Sequence, residues 1–293
     1  MPNPNPADGR RRTALLTGAA GGIGTEVARR LSAQGYQIIG VDLHARAVNQ
    51  ALDGLPGVEA VECDLSDPAA TTELAARIAG EWADDLEVLI CNAGIIAPGD
   101  AVDLPLDVVD RQLAVMLTGP IHLIAAAART FTRRGRGHLM ATVSLGGIVA
   151  LPGSAAYSAA KAGLRAYLCA LSAELSGTGV AVSGVYPSAV DTPMLMHEAT
   201  HGGSLLNFVG KISTPADVAD GFERALRTRR LEIYVPYSDS LLTRTAESLP
   251  WLLPRLLPSM NRIGLRGRDR FLRERGVALP SPAAHRAPAA NED

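Results

Sequence analysis

Seven short apolar runs alternate with longer stretches of helical periodicity, which predicts an α/β protein with a mostly parallel sheet flanked by helices. Two further observations agree: glycines cluster between the first run and the first helix, and an acid closes the second run. The first strand is expected over residues 13–17, followed by a helix over about 23–34. Strands follow at 37–41, 58–62 and 86–91, with a helix starting near residue 68. A long helical pattern fills 106–131, the fifth strand takes 138–143, and a helix rich in small residues covers 155–175. The sixth strand (180–185), a helix (215–226) and the seventh strand (231–235) complete the set. Right-handed crossovers wind such strands into a doubly wound, Rossmann-like, seven-stranded sheet.

Composition bounds the organisation. Of 293 residues, 47% are hydrophobic and 20% charged, the balance of a globular chain. The net charge of −2 lacks the basic excess of a nucleic-acid binder. Cys63, Cys91 and Cys169 show no disulfide framework and no metal-ligand spacing, so a reducing, cytoplasmic setting and no metal are expected. No run of 18 apolar residues suggests a transmembrane segment. Residues 1–12 read as a disordered lead without a signal-peptide core, 13–236 as a single domain, and 277–293 as a disordered tail. Between them, 237–276 is a helical extension rich in leucine, proline and arginine, a lid or a subunit-contact arm. Its prolines exclude one continuous helix.

Thr17-Gly18-Ala19-Ala20-Gly21-Gly22-Ile23-Gly24 carries the first chemistry. Glycines between a strand and a helix let the backbone approach a diphosphate, and the helix N-terminus offers it N–H groups. A tight turn without a ligand would use the same residues. The position between strand and helix favours the dinucleotide. Asp42 ends the second strand, 18 residues beyond Gly24. An acid near that spacing accepts hydrogen bonds from the adenosine ribose and repels a 2′-phosphate, pointing to NAD rather than NADP. His44 and Arg46, just beyond, read as solvent-facing.

Tyr157 and Lys161 lie four apart, on one face of the helix that holds them. A neighbouring ammonium favours phenolate, so Lys161 is expected to lower the Tyr157 pKa and make it a general acid/base. Ser144 follows the fifth strand at its carboxyl end, where ligands bind in such sheets. Any one of these residues alone would read as surface or core.

Together they resemble the short-chain dehydrogenase/reductase family over about residues 13–235. Thr17, Gly18, Gly22 and Gly24 match its cofactor turn. Tyr157 and Lys161 match its Tyr-x-x-x-Lys, and Ser144 its serine 13 residues earlier. Asn92-Ala93-Gly94 matches the motif after its fourth strand, and Asp64 in Cys63-Asp64-Leu65 its acid at the adenine end. The resemblance implies that Tyr157 exchanges a proton with the substrate oxygen, Lys161 also binds the nicotinamide ribose, and Ser144 polarises the carbonyl. Ile23, Leu65, Pro187, Val190 and Thr192 join the cofactor set. Homodimers or homotetramers packed through the helices at 106–131 and 155–175 are implied as well.

Two departures stand out. Met116 replaces an asparagine that helps hold a proton-relay water, leaving a backbone carbonyl, Gln112 or nothing for that task. Ser188 replaces the glycine after Pro187. Substrate-facing segments, at 95–96, 145–151 and the loop 194–208, are largely apolar, which suggests a lipophilic secondary alcohol or ketone such as a steroid, terpenoid or fatty-chain compound. The rival reading is a non-catalytic NAD-binding sensor or scaffold. A family member performing epimerisation, dehydration or dehalogenation is a third.

Overall fold

Thr13–Thr17 (β1) is buried at every residue, as a strand covered on both faces must be. The computed structural model describes residues 12–247 and 250–279. After β1 come Gly22–Ala33 (α1), Gln37–Asp42 (β2), Ala45–Ala51 (α2), Val58–Glu62 (β3), Pro68–Ala79 (α3) and Leu86–Cys91 (β4). Leu106–Leu113 (α4), a π-turn at Ala114–Thr118, Gly119–Arg134 (α5), Gly137–Thr142 (β5) and Ala155–Glu174 (α6) follow. Val180–Pro187 (β6), Pro193–His201 (α7), Pro215–Thr228 (α8) and Glu232–Val235 (β7) complete the domain, and Tyr237–Glu247 (α9) and Leu253–Glu274 (α10) extend it. Most of the lead and of the tail lies outside the described residues.

The sheet order is β3-β2-β1-β4-β5-β6-β7, and every pairing is parallel. Strand alternation sends neighbouring β1 residues to opposite faces. Leu15 joins Ile78, Ile124 and Phe131 on one side, and Leu16 joins Leu31, Val218 and Phe222 on the other. Burying a side chain of this size contributes about 2 kcal/mol. The chain passes from the β3 edge back across β1 to β4, so the crevice between the β1 and β4 carboxyl ends is the switch point of the winding.

The structure refines three expectations. The long pattern at 106–131 is two helices joined by a π-turn that contains the buried Met116. Their joined span, Leu106–Arg134, is long and apolar enough by length and composition to cross a bilayer. It is instead a core element, with Leu123, Ile124 and Phe131 fully buried. The stretch expected as a loop at 194–208 holds α7, started by Pro193 and capped by the Thr192 hydroxyl, and a 3-10 turn at Leu205–Phe208. The extension does break before α10, but α10 then runs 22 residues with Pro258 inside it. Pro254 falls in the first turn, where no N–H is needed, and Pro258 gives up one backbone bond. Docking offsets that loss: Phe271 and Leu272 pack with Leu195, Ala199 and Phe208. A Cβ at Gly264 or Gly267 would stand 2.1 Å from the Leu205 or Phe208 carbonyl oxygen, so only glycine permits this approach.

Candidate active site

The switch point is built from backbone held by a few side chains. Gly18 takes φ +66°, and a Cβ there would lie 2.8 Å from Ala93 Cα, so β1 and β4 can leave the sheet this close only with glycine at 18. The Thr17 hydroxyl accepts from the Asn92 and Ala93 amides at 3.0 Å each. Asn92 Nδ2 donates to the Thr17 and Gly18 carbonyls at 3.2 Å, and its Oδ1 accepts from the Thr142 hydroxyl at 2.8 Å. Gly24 lies under the turn, where a Cβ would meet the Gly18 carbonyl oxygen at 2.0 Å.

Above this floor opens a cleft of about 480 Å³. Gly18, Gly22, Ile23 and Asp42 line one side, and Asp64, Leu65, Asn92, Ala93, Gly94 and Thr192 continue it. Thr17 and Gly24 shape the cleft from beneath. The Asp42 carboxylate accepts from the Ala20 amide at 2.9 Å and the Leu43 amide at 2.8 Å, which fixes it at the rim. Asp64 accepts from the amide and hydroxyl of Ser66 at 2.8 and 2.6 Å; these bonds, with the Arg111 charge, hold its carboxyl below the usual range. Arg111, which the sequence did not single out, also lines the cleft. The first turn of α1 has no side-chain cap. Glycines, an uncapped helix N-terminus and a fixed acid at the rim fit a dinucleotide.

The cleft leads into a pocket of about 100 Å³ that brings together Ser144, Tyr157, Lys161, Pro187 and Val190. Lys161 is buried and donates through Nζ to the Thr142 carbonyl at 2.7 Å; burial pushes its pKa down to about 8. Its ammonium stands 5.8 Å from the centre of the Tyr157 ring. The Ser144 hydroxyl accepts from the Gly146 amide at 3.0 Å, which leaves its own proton for the pocket. Lys161 was expected to lower the Tyr157 pKa. In the structure burial dominates and pushes it up to about 12, opposed by the hydrogen bond with Ser144.

The two departures are visible. A Cβ on Gly94 would stand 3.7 Å from Met116 Sδ and 4.0 Å from Lys161 Nζ, so the thioether and the lysine both border Gly94. Gln112 accepts from the Ala97 amide at 3.3 Å, and its Nε2 is buried without a partner. Ser188 lines the pocket with its hydroxyl buried and unpartnered.

Sequence reasoning missed Glu198 and Asn207. Glu198 on α7 is buried and lines the same pocket, and its Oε1 accepts from Asn207 Nδ2 at 2.9 Å. Burial pushes its carboxyl up to about 8. The signal available was Thr192-Pro193, which starts the helix that carries it. Past Asn207 and Ser188 the pocket opens into a largely apolar cavity of about 530 Å³, between Leu145, Val149, Leu206 and Val209 on one side and Leu253, Leu256 and Met260 of the extension on the other.

Comparison with known proteins agrees with this geometry. The family model described as short chain dehydrogenase matches residues 12–202. An uncharacterized oxidoreductase of Myxococcus xanthus is 31% identical over 234 residues, 76% of this chain and 92% of that protein. A 1-deoxy-11-beta-hydroxypentalenate dehydrogenase of Streptomyces avermitilis is 34% identical over 231 residues, 76% and 83% of the two chains. A short-chain dehydrogenase from Sphingobium yanoikuyae, solved in complex with NADPH, superposes with a TM-score of 0.72 at 25% identity, covering 81% of this chain and 94% of its own. The chain belongs to the short-chain dehydrogenases, oxidoreductases that bind a nicotinamide cofactor and act on hydroxyl groups.

Proposed function

We propose that this protein is an NAD-dependent oxidoreductase interconverting a secondary alcohol and a ketone on a lipophilic substrate. The observation that carries the reading is the meeting of Ser144, Tyr157 and Lys161 in one pocket between a dinucleotide-shaped cleft and an apolar cavity. The nicotinamide, when bound, supplies or accepts the hydride. Ser144 and Tyr157 hold the substrate oxygen. With its pKa pushed up to about 12, Tyr157 is a phenol at neutral pH and donates its proton to the carbonyl oxygen in the reductive direction. The Lys161 ammonium stabilises negative charge developing beside it and binds the nicotinamide ribose.

Asp42 supports NAD, because its carboxylate is fixed where a 2′-phosphate would meet like charge. The apolar cavity supports a terpenoid, steroid or fatty-chain substrate, and the relative from Streptomyces avermitilis is named for a hydroxylated organic acid. The extension acts as a lid, since α10 walls the cavity at one end and is anchored in a small core at the other. The homo-oligomer contact is assigned to the α4–α5 and α6 helices. Three free thiols, two of them buried, suit a cytoplasmic setting. The rival reading, an NAD-binding sensor, draws on Met116, which puts a thioether where a relay needs a polar group.

The test is a fluorescence titration with NADH and NADPH, followed by turnover of a panel of lipophilic ketones and alcohols. Tighter NADH binding with turnover is the expected result. Tight binding without turnover across the panel favours the sensor, and preference for NADPH overturns the assignment of Asp42.

A further inference from the structure

Glu198, Asn207 and Ser188 stand at the throat where the reaction pocket meets the apolar cavity, and no step of the proposed reaction uses them. Asn207 and Ser188 line both spaces, and Glu198 faces Tyr157 across the smaller one. Glu198 Oε1 is taken by Asn207, while no protein group bonds its second oxygen among the described residues. Ser188 Oγ is buried with no partner. A buried polar atom without a partner is costly, so it calls for an explanation, and a ligand that pairs with it is one. The side chain is closely packed: a Cβ on Gly203 would lie 2.5 Å from Glu198 Cβ, so only glycine lets the chain pass this near to it.

We propose that Glu198, Asn207 and Ser188 form a polar subsite that binds a second oxygen of the substrate, a neutral hydroxyl or carbonyl near the reacting carbon. The substrate is then a lipophile oxygenated twice: one oxygen lies between Ser144 and Tyr157, the other at this throat, and the carbon skeleton fills the cavity beyond. The buried carboxyl carries its proton at neutral pH, so it offers an O–H to an acceptor, and Asn207 Oδ1 offers an acceptor to a hydroxyl. A site that hydrogen-bonds a substrate group discriminates strongly against the analogue lacking it, because its own polar atoms are then left unpaired.

This inference rests on the oxidoreductase reading, and its test separates the two. Pairs of bicyclic ketones and diketones of one carbon skeleton are titrated against the cofactor-loaded protein, and turnover of each is followed separately. Wild type is expected to bind the better diketone of each set about tenfold to a hundredfold more tightly than the monoketone. Glu198→Leu is expected to collapse that ratio toward one, and the near-isosteric Glu198→Gln to retain part of it. Unchanged cofactor affinity and melting temperature identify variants that have folded. No wild-type preference, or a ratio that survives Glu198→Leu, overturns the subsite. Selective binding that Glu198→Leu abolishes, without turnover of any ketone, upholds the subsite and overturns the oxidoreductase reading.

Discussion

At its cofactor end the groove is floored by polar groups tied to one another; at its substrate end the walls are apolar and the few polar groups have bonds left to give. Thr17, Asn92 and Thr142 form one network that pins the exits of β1, β4 and β5. Glu198 and Ser188 have unused hydrogen-bonding capacity, set beside leucines from the extension. The difference is what the proposed function requires. A dinucleotide is the same molecule at every turnover, so its site is pre-organised on strand ends. A lipophilic substrate is gripped mainly by apolar surface, and a few polar contacts choose it.

The comparison is tested most sharply where the two ends meet. Tyr157→Phe should lower turnover by about 10²–10⁴-fold while NADH affinity stays within about threefold; steady-state kinetics beside a binding titration read both, and loss of binding would place Tyr157 in the cofactor floor instead. Gly24→Ala attacks that floor. Its Cβ meets a backbone carbonyl that cannot move freely, so a loss of about 3 kcal/mol, a fall in melting temperature of about 6–12 °C and weaker NADH binding are expected. A stable variant with intact affinity would show the turn to be pliable.

Asp42→Ser should narrow the preference for NADH over NADPH about tenfold or more, seen as the ratio of the two dissociation constants. The pH profile reaches both ends. Lys161, pushed down from 10.5 to about 8, is charged below that pH and neutral above it. Ketone reduction should therefore hold a plateau at neutral pH and fall by up to about tenfold per unit above about 8. Glu198 titrates in the same window, whereas Tyr157 and Cys91, both at about 12, stay protonated. An inflection retained in Glu198→Gln belongs to Lys161. The smallest effect is expected where the end of α10 docks on the domain. Arg275 pairs with Asp191 and lies 3.8 Å over the Phe271 ring, both charges being partly exposed. Arg275→Ala should cost about 1 kcal/mol or less, a shift of about 2–4 °C by thermal melt.

The cofactor end was legible because its residues act through neighbours close in sequence. Thr17 to Gly24 is one turn, Asp42 ends the next strand, and Tyr157 and Lys161 share a helix face. The substrate end was not. Glu198 falls in the stretch expected as a loop, and its burial follows from the packing of α7 against Gly203 and from its bond with Asn207 of the turn at Leu205–Phe208. The proline-rich extension was read as broken, and the glycines at 264 and 267 gained meaning only against the backbone they touch. The Tyr157 pKa is hidden for the same reason: spacing gives the nearby cation, whereas the burial that raises the pKa depends on the whole fold.

Periodicity, glycine and four-residue spacing act locally, so the succession of strands, the glycine turn and the candidate set of Ser144, Tyr157 and Lys161 are legible in the chain alone. Only the folded chain shows that the sheet is wholly parallel, that Met116 borders Gly94, and that the buried Glu198 lines a pocket next to an apolar cavity walled in part by α10. Those outcomes depend on which distant segments exclude water from one another, and no local pattern records that.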